Sequence, residues 1–355
     1  MASPIPPGAF HVSRQAFAQS LDFAEVARND TLIDRVLGQA TANVESFLHR
    51  GFFPWTGSRS FDWPDEDMRT SYRLWLDDNE LVSLTSATSG GVTLNVSELP
   101  LYPTTGPPYD VIETNRSGSS FFQAGDTNQK SLVLNGVWGY KVDALAVTTL
   151  ASTINTTTTT VPLTSSAGLG VGNVILVDSE YMVITAVGST SSGQTLQTPL
   201  TASAAGTSVA VTTGSSFLTG EVITLDSEQM LVVDVTGNTL VVKRAWNGTV
   251  LATHSGSTIY VKRTLTVRRN VCVSTVVPAS HNSGATVSLH VIPDPVQALT
   301  TAEASWLYGS HSQGWQAAST VSGRNVPGIV SLTILQDARA YAKRTVGRKG
   351  RQRAV

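Results

Sequence analysis

GNVILVDSEYMVITAV at residues 172–187 and GEVITLDSEQMLVVDV at residues 220–235 are two versions of one segment. The likeness extends upstream. Val161–Val187 and Val209–Val235 align without a gap at an offset of 48, and ten of the 27 aligned positions are identical. Gly172/Gly220, Asp178/Asp226, Ser179/Ser227, Glu180/Glu228 and Met182/Met230 are among them. In each version a glycine enters an apolar run, a polar triplet interrupts it (Asp178 to Glu180, Asp226 to Glu228), and a second apolar run returns. Short runs rich in β-branched residues, bounded by turn-forming residues, read as strands, so each version is a β-hairpin. Self-similarity at a period of about fifty residues marks duplicated supersecondary units. A fainter echo follows: Leu240–Arg244 resembles Leu265–Arg269, and Thr249–His254 resembles Thr275–His281 with one residue more. The flanks read differently, so the block is expected to be an all-β domain of tandem hairpin repeats inserted in a second domain.

The 355 residues leave room for two domains of ordinary size. Only 14% of them are charged, while Thr, Ser, Gly and Val are abundant, as suits a β-rich chain. Cys272 is the only cysteine, which excludes an internal disulfide and a cysteine zinc site and suits a reducing cytoplasm. The opening MASPIPPGAF lacks the basic and apolar regions of a secretion signal, and no apolar run has the length to cross a bilayer. Net charge is −2, unevenly spread. Seven Lys and Arg and no acid follow from Arg339 onward, so residues 1–338 carry −9. A basic tail on an acidic body suits a polyanion or an acidic protein groove, and equally a solvated terminus.

In chain order, a helix is expected from Asn29–Asp30 to Arg50, with Ile33, Val36, Leu37, Ala40, Val44, Phe47 and Leu48 on one face and Gly51 as its C-terminal cap. Residues 52–70 read as a loop that concentrates Phe52, Phe53, Trp55, Phe61 and Trp63, suited to stacking on bases or sugars, to loop anchoring or to a subunit contact. Short strands follow over 71–86, 92–96, 109–113 and 132–140. Residues 142–151 read as a short helix and 155–160 as a polar linker into the repeats. After the repeats, 265–277 and 285–292 read as strands returning to the first domain. A helix opens at Asp294–Pro295, carrying Val296, Leu299, Ala302, Trp306 and Leu307. A Gly/Ser-rich loop over 309–328 leads to a last helix, with Ile329, Leu332, Leu335, Ala338, Tyr341 and Ala342 on one face before the basic tail. The expected fold class is α+β. Its parts are an N-terminal domain (1–154), the inserted β-repeat domain (155–264), and strands, two helices and a tail (265–355) that complete the first.

Candidates for chemistry are few. Asp178, Glu180, Asp226 and Glu228 are the best acid/base or metal candidates. Three polar residues between two hydrophobic strands cannot converge on a cation, so solvated turns are expected. No glutamate stands near His254 or His281 at metal-ligand spacing, and nucleophile-elbow, phosphate-loop and dinucleotide motifs are absent from the sequence. No catalytic residue, metal or cofactor is expected, and the chain is not expected to be an enzyme.

GPPYDVIE from Gly106 and FFQAGDTNQKSLVLNGVWGY ending at Tyr140 resemble the head–tail connector (adaptor) proteins of long-tailed bacteriophages. GEVITLDSEQMLVVDV followed by VVKRAWNGTVLATHS is similar to the β-insertion of connectors from some actinobacterial phages, and ARAYAKRTVGRKGRQR resembles their C-terminal helix. The likeness runs from residue 29 to the C-terminus, apart from the Gly/Ser loop. Residues 272–274 depart from the Gly-Thr that the family pattern has before the final Thr…His stretch.

The resemblance implies a structural virion protein of the neck, assembled in the host cytoplasm. It would form a ring, usually of twelve subunits, that joins the phage portal to the next neck, stopper or tail protein and leaves a channel for genomic DNA. Carried onto this chain, Ile329, Leu332, Leu335 and Tyr341 would dock on the portal. Arg339, Lys343, Arg344, Arg348, Lys349, Arg351 and Arg353 would face acidic portal grooves or DNA. Trp55, Phe61 and Trp63 would help seal the subunit contact. No membrane partner is implied. A carbohydrate- or surface-binding β-rich virion module is the alternative.

Overall fold

Both hairpins lie in one antiparallel sheet of ten strands. The computed structural model describes residues 4–21, 27–63, 72–77, 79–272, 278–312 and 332–348. Two helices open the chain, α1 (Arg14–Ser20) and α2 (Ala27–Leu48). Seven short strands follow: β1 (Trp55–Phe61), β2 (Arg73–Trp75), β3 (Leu81–Ser89), β4 (Val92–Leu94), β5 (Leu101–Tyr102), β6 (Val111–Glu113) and β7 (Leu132–Trp138). They form two small sheets, β1-β7-β3-β4 and β2-β6-β5. The large sheet takes β8 (Ala144–Thr149), β9 (Thr160–Pro162), β10 (Val174–Val177), β11 (Glu180–Thr195), β12 (Ser208–Ala210), β13 (Val222–Leu225), β14 (Glu228–Thr236), β15 (Thr239–Lys243), β16 (Thr258–Val271) and β17 (Thr286–His290). Helices α3 (Asp294–Ser312) and α4 (Leu332–Thr345) close the described chain. The protein is α+β, as its sequence pattern indicates.

The duplication is real, and its arrangement is nested rather than end to end. One copy is ordered β12-β15-β14-β13-β16, the other β9-β16-β11-β10-β17. Strand β16 serves both: Ile259–Val261 pair with β13 of the second copy, whereas Thr264–Val271 pair with β11 of the first. In the second copy β14 turns into β15 through Gly237 and Asn238, between the paired Thr236 and Thr239. In the first copy the corresponding pair is Gly188 and Thr264, and the whole second copy is threaded between them. The cores match position by position. Leu150, Ile154, Val161, Leu163, Leu169, Ile175, Val177, Met182, Ile184, Leu265, Val267 and Val287 form one. Leu196, Leu200, Val209, Val211, Phe217, Ile223, Leu225, Met230, Val232, Leu240, Val242 and Ile259 take the same places in the other. Each side chain buried in this way contributes about 1.5–3 kcal/mol, enough for each copy to hold a core of its own.

Several segments differ from the sequence expectation. Strand β16 crosses the boundary placed at 264/265, so the return strands belong to the repeat sheet. Residues 144–149 are a strand, not a helix, because β17 offers an edge with which Ala144, Leu145, Ala146, Thr148 and Thr149 pair. The stretch at 155–160 is no free linker: Ile154 bridges to His281, the Asn155 side chain accepts from the backbone of Thr157 and Thr158, and Thr160 begins β9. Within the aromatic stretch, Trp55–Phe61 is a strand paired along its length with β7. Helix α2 buries Ile33, Val36, Leu37, Ala40, Val44 and Leu48 as its spacing requires. Its C-terminal left-handed residue is His49 (φ +51) and not Gly51, whose carbonyl already accepts the Tyr140 N–H.

Helices α2, α3 and α4 pack on the first copy, while α1 also borders the second, where the Gln19 side chain donates to Asn247 at 3.4 Å. Val174, Val183, Val271 and Cys272 of the first copy pack with Val44, Leu48, Phe52 and Phe53, and with Val296, Leu299, Leu335 and Ala342 of α3 and α4. A separate core, with Leu74, Leu81, Ile112, Leu134 and Trp138, joins the two small sheets.

Candidate docking helix and paired ion clusters

The hairpin turns build the same ion cluster twice. Asp178 and Asp226 both take φ +52, a left-handed conformation that aspartate tolerates better than most residues. This leaves their side chains 60% and 59% exposed and turns the next strand so that Glu180 and Glu228 point inward. Each buried glutamate receives an arginine fork. Arg269 donates Nε and Nη2 to Glu180 at 3.0 and 2.6 Å. Arg244 donates the same nitrogens to Glu228 at 2.7 and 2.8 Å. Backbone N–H groups of Asn270 and Ala279, and of Ala245 and Ala252, fill the remaining carboxylate positions. The other arginine N–H groups go to the carbonyls of Asn155, Thr158 and Ala279, and to those of Thr201, Gly206 and Ala252.

A histidine joins the two carboxylates of each turn. His281 lies 2.9 Å from Glu180 through Nε2 and 2.6 Å from Asp178 through Nδ1. His254 lies 2.9 Å from Glu228 and 2.7 Å from Asp226 through the same atoms. Both ring nitrogens thus face carboxylate oxygens. Burial alone would raise the Glu228 carboxyl. The hydrogen bonds from Arg244, His254 and the two backbone N–H groups outweigh it and bring the group down to about 2. Glu180 is lowered by the same balance of burial against Arg269, His281 and Ala279. Hydrogen bonds from His254 and Ser257 lower Asp226.

These clusters correct two sequence expectations. The turns are solvated at their aspartates, while the glutamates are buried. His254 and His281 do have glutamate partners, 26 and 101 residues away in the chain, beyond any motif spacing. The signal was present in the fainter echo, since Arg244/Arg269 and His254/His281 are the cluster members it repeats. Chemically the clusters are closed. Donors and acceptors satisfy one another, and no group of three or more His, Cys, Asp or Glu is placed to hold a metal among the described residues.

Helix α4 is held along one side and open along the other. Leu335 and Ala342 are buried against the helical core, joined by Val346 just beyond the helix. Arg339 donates Nε to the buried Glu303 of α3 at 2.7 Å. The guanidinium of Arg339 and the ammonium of Lys343 lie 5.8 and 5.7 Å from the Phe47 ring centroid. Arg50 donates to the Val346 carbonyl at 2.5 Å and to Glu80 at 2.8 Å, and the Arg348 N–H reaches the Leu48 carbonyl at 3.2 Å. Glu80 is raised by burial in spite of Arg50. The C-terminal end of α4 is thereby tied to the end of α2. On the flanks of that side Leu332, Ile334 and Tyr341 are 55, 57 and 51% exposed, with the Arg344 guanidinium 5.8 Å from the Tyr341 ring centroid. The face expected from the sequence is therefore split: Leu335, Ala338 and Ala342 turn inward, whereas Leu332 and Tyr341 turn out. Ile329, Lys349, Arg351 and Arg353 lie outside the described residues.

The aromatic stretch is core. Phe52, Phe53 and Trp63 are buried, and Trp55 and Phe61 are partly buried against the small-sheet core. Trp63 meets Phe122 in a tilted contact at 5.0 Å, Phe61 lies 6.2 Å from Trp138, and Arg59 covers Trp55 and Trp138. Trp63 is not exposed as a sealing residue would be: just beyond β1 its N–H is bonded to the Asn128 carbonyl and its ring is buried beside Phe122. Comparison of the chain with family models, with curated proteins and with solved structures finds no match.

Proposed function

We propose that this chain is a structural subunit of a phage neck, forming a ring that joins the portal to the next neck, stopper or tail protein around a channel for DNA. The observation that supports the reading best is the construction of α4. One side is fixed by Leu335, Ala342 and the Arg339–Glu303 pair; Ile334 and Tyr341 are exposed on one flank of it and Leu332 on the other, and the helix leads through Lys343 and Arg344 into a basic tail. An amphipathic helix with apolar anchors and a cationic flank is a recurring way to occupy a partner's groove. A glycan-binding role loses its main support with the burial of Trp63 and the occupation of Trp55 by Arg59.

The test is the mass of assemblies formed by the chain alone and with a candidate portal, read by native mass spectrometry. A ring of about twelve subunits, or a monomer that joins portal rings, is expected; the stoichiometry comes from closure of head-to-tail contacts. Leu332→Glu together with Tyr341→Glu should abolish portal joining and leave circular dichroism unchanged, because both side chains are exposed in the free chain. A chain that neither forms a ring nor joins a portal, or a double variant that still joins, would remove this reading.

A further inference from the structure

The two copies differ in what lies on one face, and the first copy shows what that face can hold. Its residues Val171, Gly172, Val174, Val183, Val271 and Cys272 are buried. The segment before α1, which turns at Pro6–Ala9, lies across them. The Phe10 N–H donates to the Gly172 carbonyl at 2.8 Å and the Arg14 N–H to the Val171 carbonyl at 2.9 Å. Gly172 (φ +92) is required there, since a Cβ at that position would run into the Phe10 ring.

In the second copy the corresponding residues are Thr219, Gly220, Val222, Leu231, Trp246 and Asn247. Thr219 and Gly220 are exposed and the other four only partly buried. Gly220 keeps the same conformation (φ +87), yet a Cβ placed on it would meet only the Ala167 Cβ, at 3.4 Å. Among the described residues nothing donates to the Gly220 carbonyl. A cleft of about 350 Å³ opens here, walled by Gly220, Val222, Leu231 and Trp246 of the second copy, by Gly168 and Leu169 of the first, and by α1. Its size is within the range of sites that take a ligand group. The indole N–H of Trp246 is buried without an acceptor among the described residues.

We infer that this face of the second copy is a peptide-docking site. Its occupant is an extended segment of a partner protein that places an aromatic side chain in the cleft and a backbone N–H on the Gly220 carbonyl, as Phe10 does on Gly172. The inference does not depend on the portal reading, because it follows from the filled and open states of one duplicated face.

The experiment uses the full chain and a fluorescent peptide of residues 4–14, PIPPGAFHVSR, followed by anisotropy and by hydrogen–deuterium exchange. Saturable binding is expected, weakened about tenfold or more when the peptide's phenylalanine is replaced by alanine. Exchange should slow at 219–233 and 246–250. Leu231→Gln and Trp246→Ala, both at partly exposed positions, should each weaken binding by about tenfold with an unchanged unfolding transition. Absence of binding would overturn the proposal. So would binding indifferent to both variants, or exchange changes confined to residues 6–15, which would mean that the peptide displaces the chain's own segment from the first copy.

Discussion

The first copy of the β unit is clad by helices, and the second has the same face open. Core and ion cluster are alike in both: Met182 and Met230 are fully buried, and Glu180 and Glu228 each take one arginine and one histidine. The differences gather on the face, where Val183, Val271 and Cys272 stand against Leu231, Trp246 and Asn247. The contrast separates what makes this unit fold from what makes it stick. The shared residues close a small core and a buried set of charges. The divergent ones answer to whatever lies outside.

Breaking the shared part should have the largest effect. Glu180→Ala and Glu228→Ala each leave a buried arginine facing no carboxylate and a histidine with only its aspartate, a loss of about 3–5 kcal/mol in unfolding free energy. Where the loss spreads sharpens the comparison. Glu228→Ala should raise amide exchange over 196–261 and leave α2 protected. Glu180→Ala should raise it in the first copy and in α2 and α3 as well, since they share a core. Equal spreading in both variants would show that the copies do not open separately.

Acid should act on the same charges with a somewhat smaller effect. Glu228 is near 2 in the folded chain against an ordinary 4.5, so the unfolded chain takes up the proton first. Its contribution is complete above pH 4.5 and is lost as pH falls towards 2. The shift corresponds to about 3 kcal/mol. Urea unfolding at a series of pH values should therefore show stability falling through that window. Glu228→Gln should flatten the slope, and an unchanged slope would put the acid sensitivity elsewhere.

The covered and open faces can be compared through thiol chemistry. Burial pushes Cys272 from 9.0 up to about 12, which cuts its thiolate about a thousandfold near neutral pH. Ellman's reagent should leave it unmodified until the protein unfolds. Asn247 occupies the same place in the second copy and has the same left-handed backbone (φ +54, against +66 at Cys272). Asn247→Cys should therefore fold, and its thiol should react at least about a hundredfold faster than Cys272. Similar rates at the two sites would mean that the second face is covered in solution too.

Much of this was legible in the residues. The duplication, the strand runs around it, α2, and the α3 helix opened by Asp294–Pro295 all follow from local pattern. The nesting was not, because an offset of 48 between hairpins does not say which later strand each will pair with. Only the echo of LVVKR in LTVRR indicated that the first copy resumes after the second. The ion clusters were hidden for the same reason, since His281 meets Glu180 across 101 residues. On α4 the three-residue spacing of Leu332, Leu335, Ala338 and Tyr341 reads as one face, but such a series drifts by about 60° per step, and the structure buries Leu335 and leaves Leu332 and Tyr341 exposed. A 3.6-residue repeat identifies an apolar side but not how much of its width the neighbouring α3 covers.

The smallest effect is expected from removing the second copy altogether, and it is the most direct test of nesting. The second copy joins β14 to β15 with Gly237 and Asn238 between Thr236 and Thr239, which match Gly188 and Thr264 of the first. Replacing residues 189–263 by Gly-Asn would give the first copy the turn that the second uses. The first-copy core, its ion cluster and its helical cover all lie outside the deleted stretch. Among the described residues the remainder loses the hydrogen bonds from the Leu163 N–H to the Arg263 carbonyl, from the Ser166 hydroxyl to the Lys262 carbonyl and from the Gln19 side chain to Asn247. Each contributes about 1 kcal/mol, partly offset because a two-residue connection is easier to close than a long one. The shortened chain should unfold in one cooperative step, within about 2 kcal/mol of the first-copy transition of the full chain and with a smaller dependence on urea. A shortened chain that fails to fold would show instead that β16 must be templated by the second copy, and that the two units fold as one.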